Sequence, residues 1–454
     1  RYRRGRPLAL ARRARGGDPR DARAPEAGVI SLDAIVAELR RRKAAAAADW
    51  SVIERVTRRG VARSGGSFRR LDDAVRIGLV VHHDVGKGRG TGELVLEGDR
   101  GDAPASIIAD ADARALAMIG PPWTAPAPAA PARVELVDPL LEKITDATAT
   151  TALSGVPAAV DAEAIVEHVA VRLATGGSGG RNLSVAWAET RVAVRAMVEK
   201  SGRTIEIVAE ARRLGDLRLG ERIRRASTEL DELAGAGTPE AGSYSVVLHA
   251  SAHAHGGYGL WQALVAQADA ALVRQGLARY RPGSEIAPRA ATADDPLDVI
   301  SDGTLAFGTR SAPAGDRGEP VRRFVVIERG VARGLSLDQR EAALAHREPN
   351  GGIRNLVVLP GRTAADELIR VAGAAVIEVK RFAWLDLDPR TGHAVARIAA
   401  GVVHDDKGHR PIAGGTLRFD VIAALASARR SRELATEGAI HGPTALRIDG
   451  VTIT

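Results

Sequence analysis

Cysteine is absent from all 454 residues. The absence excludes disulfide staples, thiolate metal ligands and a thiol nucleophile, and it suits a reducing, cytoplasmic setting. Aromatic residues are scarce at 3 %, so Val, Ile, Leu and Ala are expected to fill the cores. No stretch approaches the roughly 20 consecutive apolar residues of a membrane helix, and a soluble chain without membrane attachment is expected. Signature loops are missing too. The Gly-rich run Lys87–Gly92 lacks both the G-x-G-x-x-G spacing of a dinucleotide turn and the Gly-Lys-Ser/Thr ending of a P-loop. No G-x-S-x-G elbow stands between an expected strand and an expected helix.

What is present is enough chain for two domains with cores of their own. The formal charge of +8 is concentrated at one end, where residues 1–30 carry nine Arg against Asp18, Asp21 and Glu26. The remainder is close to neutral with mixed signs, so a nucleic-acid surface is not expected. Residues 1–28 read as a disordered basic tail without the apolar centre of a secretory signal. The expected organisation is this tail, an N-terminal α+β domain over 29–234, and a strand-rich C-terminal domain over 242–454.

Periodicity supplies the elements. Ser31 stands as an N-cap before Leu32, Ile35, Val36 and Leu39, the spacing of an amphipathic helix. Ile77–Val81 reads as a strand, Lys87–Gly92 as a tight hairpin, Ala105–Met118 as a helix, and residues 121–132 as an extended proline-rich segment. Asp161 is placed as the cap of a helix with the face Ile165, Val166, Val169 and Leu173. Beyond Leu183 the pattern turns to alternation, and antiparallel strands follow. In the second half Ser245–Leu248 is a strand, and Trp261, Leu264, Val265, Ala268 and Leu272 mark one helix face. Without a βαβ repeat, the fold class is α+β with antiparallel sheets.

Candidate chemistry centres on histidine. His249, His253 and His255 form H-x-x-x-H-x-H, which on a helix would put His249 and His253 on one face as zinc ligands. Ala250 stands where a zinc hydrolase carries its base, and glycines follow, so a loop of locally bonded histidines is the competing reading. His82–His83–Asp84 is expected past a strand, and His404, Asp405, Asp406 and His409 flank a turn. Asp294, Asp295, Asp298, Asp302 and Asp316 crowd a loop-rich region, where turn chemistry competes with cation binding.

Ordered stretches then carry a resemblance: Gly242–Leu248 (GSYSVVL), Ile300–Gly308 (ISDGTLAFG), Asp316–Pro320 (DRGEP), Val325–Val331 (VVIERGV), Asn355–Gly361 (NLVVLPG) and Pro443–Thr454 (PTALRIDGVTIT). In this order and spacing they resemble the TldD/PmbA family, once described as modulators of DNA gyrase and understood as peptidase subunits. The resemblance implies a two-domain α+β architecture and a dimer. It also implies that a TldD-type subunit holds zinc through H-E-x-x-x-H and a distant Cys, acting on unfolded or small peptides. The PmbA-type (TldE) subunit lacks those ligands and completes the assembly. In this chain the count from the Val246–Leu248 strand places the motif near Tyr258–Ala263 (YGLWQA), with Tyr258 and Ala263 at the histidine positions and Gly259 at the glutamate. No cysteine exists to complete the set. The resemblance therefore implies a noncatalytic PmbA-type chain that holds no catalytic or cofactor residues of its own and pairs with a zinc-bearing partner. The alternatives are a peptidase with a relocated site at His249, His253 and His255, and a peptide-binding scaffold without enzymatic activity.

Overall fold

A computed structural model describes residues 30–42, 48–97, 102–177, 182–254, 256–286, 295–371 and 374–454. The basic tail, His255 and Asp294 lie outside the described residues. The class is α+β, with antiparallel pairing dominant.

The first helix forms as its sequence dictates. α1 (Leu32–Arg41) is capped by the Ser31 hydroxyl, which accepts from the Ala34 amide, and it buries Leu32, Ile35, Val36 and Leu39. It packs on a seven-stranded antiparallel sheet built from β1 (Asp49–Arg63), β2 (Ser67–Val85), β3 (Gly88–Glu97), β4 (Ile119–Gly120), β5 (Asp161–Gly177), β6 (Leu183–Lys200) and β7 (Arg203–Ala211), in the order β4-β3-β2-β1-β5-β6-β7. Two helices, α2 (Pro104–Ala117) and α3 (Asp146–Ala152), join it, and α4 (Leu219–Glu232) lies on β6 and β7.

Residues 161–173 correct the expectation of a helix, because they form β5. Ala162, Ala164 and Val166 are buried in one core, and Val169, Val171 and Leu173 in another. The strand changes buried face between Val166 and Val169, so a period of two mimics a helical spacing across the switch. β1 escapes alternation because its outward charges are satisfied across the sheet. Arg59 and Arg63 face their register partners Glu167 and Glu163 and pair with them at 2.5 and 2.7 Å. The glycine run is likewise more than a turn. Gly86–Lys87 makes the hairpin, whereas Gly90 and Gly92 lie inside β3. A Cβ there would sit 1.9 Å from the carbonyl oxygen of Ala115 or Ala111, so glycine lets the α2 backbone lie directly on the strand.

From Gly242 onward lie thirteen strands among the described residues. They are β8 (Gly242–His249), β9 (Val299–Asp302), β10 (Arg323–Glu328), β11 (Val331–Ala332), β12 (Asn355–Val358), β13 (Val376–Leu387), β14 (His393–Asp405), β15 (Gly408–Ile412), β16 (Thr416–Asp420), β17 (Arg429–Arg430), β18 (Leu434–Glu437), β19 (Ile440–Pro443) and β20 (Ala445–Ile453). One sheet runs β11-β10-β9-β12-β19-β18. In the other, β13, β8, β20, β16 and β14 pair in sequence and β14 pairs back onto β13, which closes a ring. Only β8–β13 and β12–β19 are parallel among the described pairs. A single core joins both sheets, with Val246, Leu248, Leu260, Trp261, Leu356 and Leu446 fully buried in it. The expected long helix over 261–272 is broken into the end of a 3-10 turn at Gly259–Trp261, α6 (Gln262–Gln267) and a helix at Ala270–Arg274, which starts on the Asp269 side-chain cap; α5 (Ala250–His253) precedes them.

Residues 304–320 thread between the two halves. The Ala132 amide donates to Pro313 and the Phe307 amide to Glu135, each at 2.8 Å, while Ala314 packs with Ile53, Val169, Val171 and Leu173.

Candidate functional site

Where β5 and β6 face the 304–320 segment, a cleft of about 460 Å³ opens. Arg55 and Arg191 reach it from the first sheet, Arg212 from just past the end of β7, and Arg310 and Arg354 from the second half. Arg212 lies in the cleft wall almost fully buried, 2 % exposed. Its guanidinium donates to Glu189 at 3.0 Å and to the carbonyls of Gly308, Ser311 and Thr309 at 2.7, 2.9 and 3.2 Å. Burial lowers its pKa, and the Glu189 charge opposes that. Glu189 also accepts from Arg191, and Arg55 meets Asp316 at 2.7 Å. Arg310 stacks on the Tyr258 ring at 4.5 Å.

Tyr258, Gly259 and Ala263 follow Gly257, which lines the cleft. The Tyr258 hydroxyl donates to the Arg354 carbonyl at 2.5 Å. Gly259 holds φ +52, and a Cβ there would meet the His253 carbonyl oxygen at 2.3 Å. Ala263 is fully buried in the core. A hydroxyl engaged with backbone, a bare backbone and a buried methyl do not fit the donor set of a hydrolytic zinc, which needs three ligands, an open position and a base.

His249 and His253 do not converge on one position. His253 is buried at the end of α5, where its Nδ1 accepts from the Trp261 indole at 3.2 Å and its Nε2 donates to the Pro443 carbonyl at 3.1 Å. That leaves neither nitrogen for a metal. His249 instead meets one oxygen of Glu378 at 2.7 Å, and His404 meets the other at 2.9 Å. Burial pushes the Glu378 carboxyl up, but the hydrogen bonds from His249 and His404 and the charges of His249 and Lys380 outweigh it and hold it at about 2. No three His, Asp or Glu side chains are arranged to hold a metal ion among the described residues.

His253 predicts an acid sensitivity. Burial drives its pKa down to about 4 from 6.5. Between those values the unfolded chain binds a proton that the folded chain refuses, so stability is full above about pH 6.5 and is lost as pH falls. Urea titrations at pH 7 and 4.5 are expected to show roughly 2 kcal/mol of this loss in the parent. His253→Gln, which keeps an acceptor and a donor but cannot titrate, should lose that much of the pH dependence.

The remaining expected clusters do structural duty. His82 and His83 lie inside β2 rather than past a strand. His82 contacts the Thr91 hydroxyl at 2.9 Å, and His83 meets Asp112 at 2.8 Å. His404–His409 spans the β14–β15 hairpin, where Asp405 pairs with Arg410 at 2.8 Å. Asp295 pairs with the buried Arg430 at 2.7 Å, Asp298 accepts from the Arg329 amide at 2.8 Å, and Asp302 accepts from the Thr304 amide at 2.8 Å. Sequence reasoning missed Arg212, Arg310, Arg354 and Glu378. Glu378 alone left a trace, as a carboxylate inside the apolar strand run Val376–Val379.

Residues 241–454 match the PmbA/TldA metallopeptidase C-terminal domain. No curated protein matches the sequence. Among solved structures, TldE from Thermococcus kodakarensis superposes with a TM-score of 0.71 at 16 % identity, over 93 % of this chain and 100 % of that one. A proposed modulator of a DNA gyrase from Thermotoga maritima gives 0.72 at 16 % over 93 % and 99 %. A further one from Bacteroides thetaiotaomicron gives 0.68 at 14 % over 89 % and 94 %. At such identities the likeness is one of fold. No helix among the described residues is long and apolar enough to cross a membrane.

Proposed function

We propose, from the premise that this chain belongs to the TldD/PmbA metallopeptidase family, that it is the TldE-type, noncatalytic subunit of a peptidase whose zinc is held by a TldD-type partner. The observation that carries this reading is the state of the motif positions. Tyr258 is engaged with backbone, Gly259 is pressed against the end of α5, and Ala263 fills core. A hydrolytic zinc has no donor trio there and no base for its water. The relocated alternative loses support because His253 spends both ring nitrogens inside the protein.

The chain's own part in the reaction would be to hold peptide. The cleft joins residues from both halves, and β7 ends the first sheet without a further strand among those described. Its edge can accept an extended peptide through backbone bonds, which favours unfolded or small substrates of varied sequence. A cytoplasmic location follows from the same reading. Coexpression with a zinc-bearing family member carrying H-E-x-x-x-H and a later Cys tests the partnership. The two chains are expected to copurify as one complex, and migration of each as a separate species overturns the proposal.

A further inference from the structure

The cleft is unbalanced in hydrogen-bonding sense. Trp187 and Arg191 line it, and Trp187 Nε1 and Arg191 Nε are buried without a hydrogen-bond partner. Both atoms are donors only. Arg310 has its ring contact with Tyr258 but no carboxylate partner among the described residues. Arg354 spends Nε on the Gly351 carbonyl at 2.9 Å, and its two terminal nitrogens have no partner among them. Of the lining carboxylates, Glu189 is engaged by Arg191 and Arg212, and Asp316 by Arg55. Glu210 stands on β7 as an exposed residue of the wall. Buried donors that lack acceptors are costly, and two guanidiniums beside them present paired N–H edges suited to a planar anion.

Building on the peptide-holding role proposed above, we propose that this cleft recognises a peptide carboxylate. Arg310 and Arg354 would supply the charge, and the Trp187 and Arg191 N–H groups would complete the set of donors. The carboxylate is either the C-terminus of the peptide or an Asp or Glu side chain, which share this chemistry. The stacking of Arg310 on Tyr258 then gains a purpose: it orients the guanidinium without consuming its hydrogen-bonding edge.

Fluorescence anisotropy on the full chain decides the matter with three labelled peptides of one neutral sequence. One ends in a free acid, one in an amide, and one in an amide with a single internal Asp. A carboxylate-bearing peptide is expected to bind about tenfold or more tighter than the neutral amide, with the preference shrinking at high salt. Preference for the free acid assigns the terminus, and preference for the internal Asp assigns the side chain. R310Q and R354Q should each erode the preference, and R310K should restore only part of it, because lysine keeps charge without the planar fork. Arg310 is exposed, so R310Q should keep the parent Tm, and the peptide comparison holds whether or not R354Q folds. Equal binding of all three peptides overturns the carboxylate assignment and leaves the proposed subunit role standing. Absence of binding by any peptide overturns both the assignment and the peptide-holding role.

Discussion

Arg212→Met is expected to lower the unfolding free energy by about 3–5 kcal/mol, the usual cost of removing one member of a buried ion pair. The size follows from what is stranded. Glu189, also buried, would lose its 3.0 Å partner and keep only Arg191, and the carbonyls of Gly308, Thr309 and Ser311 would lose the Arg212 donor. Those carbonyls belong to the segment threading between the halves, so the loss falls on the junction that shapes the cleft. Glu189→Gln keeps a hydrogen-bond acceptor for Arg212 and should cost less. Urea unfolding of both variants checks the order, and a shift within about 0.5 kcal/mol for Arg212→Met would mean the pair does not hold the halves together.

Gly92→Ala is expected to be nearly as damaging, at about 3 kcal/mol, the upper range for overpacking. The added methyl would lie 1.9 Å from the Ala111 carbonyl oxygen and 2.9 Å from its carbon. Backbone cannot rotate aside as a side chain can, so α2 would have to lift from β3. Gly215→Ala serves as the contrast, since nothing lies within 4 Å of the added carbon. There the smaller entropy of the unfolded chain should leave stability equal or up to about 1 kcal/mol higher. Thermal or urea unfolding separates the two, and equal effects would refute the close approach of helix and strand.

Legibility in the sequence tracked how local the physics is. α1 could be read because its cap, period and charges all lie within ten residues. Ser245–Leu248 could be read because a fully buried strand is a plain apolar run. β5 could not, since the partners that switch its buried face come from α3 and Leu141 on one side and from Ala314 on the other. β1 was hidden by charges whose ion-pair partners lie about a hundred residues away, such as Glu163 opposite Arg63. The candidate site was harder still. The degenerate positions at Tyr258, Gly259 and Ala263 were visible through family resemblance, whereas the cleft gathers Arg55, Arg191, Arg212, Arg310 and Arg354 from distant segments. Nor does any spacing rule join His249, Glu378 and His404, which meet only because β8 and β14 both flank β13.

The central claim is that catalytic zinc belongs to a partner and not to this chain. The most direct measurement is zinc content together with peptide turnover, taken on the purified chain alone and again after adding the partner. The account predicts substoichiometric zinc and no turnover above blank for the chain alone, with both appearing in the mixed complex. Stoichiometric zinc in the isolated chain, together with peptide cleavage that disappears when His249 or His253 is replaced, would contradict it.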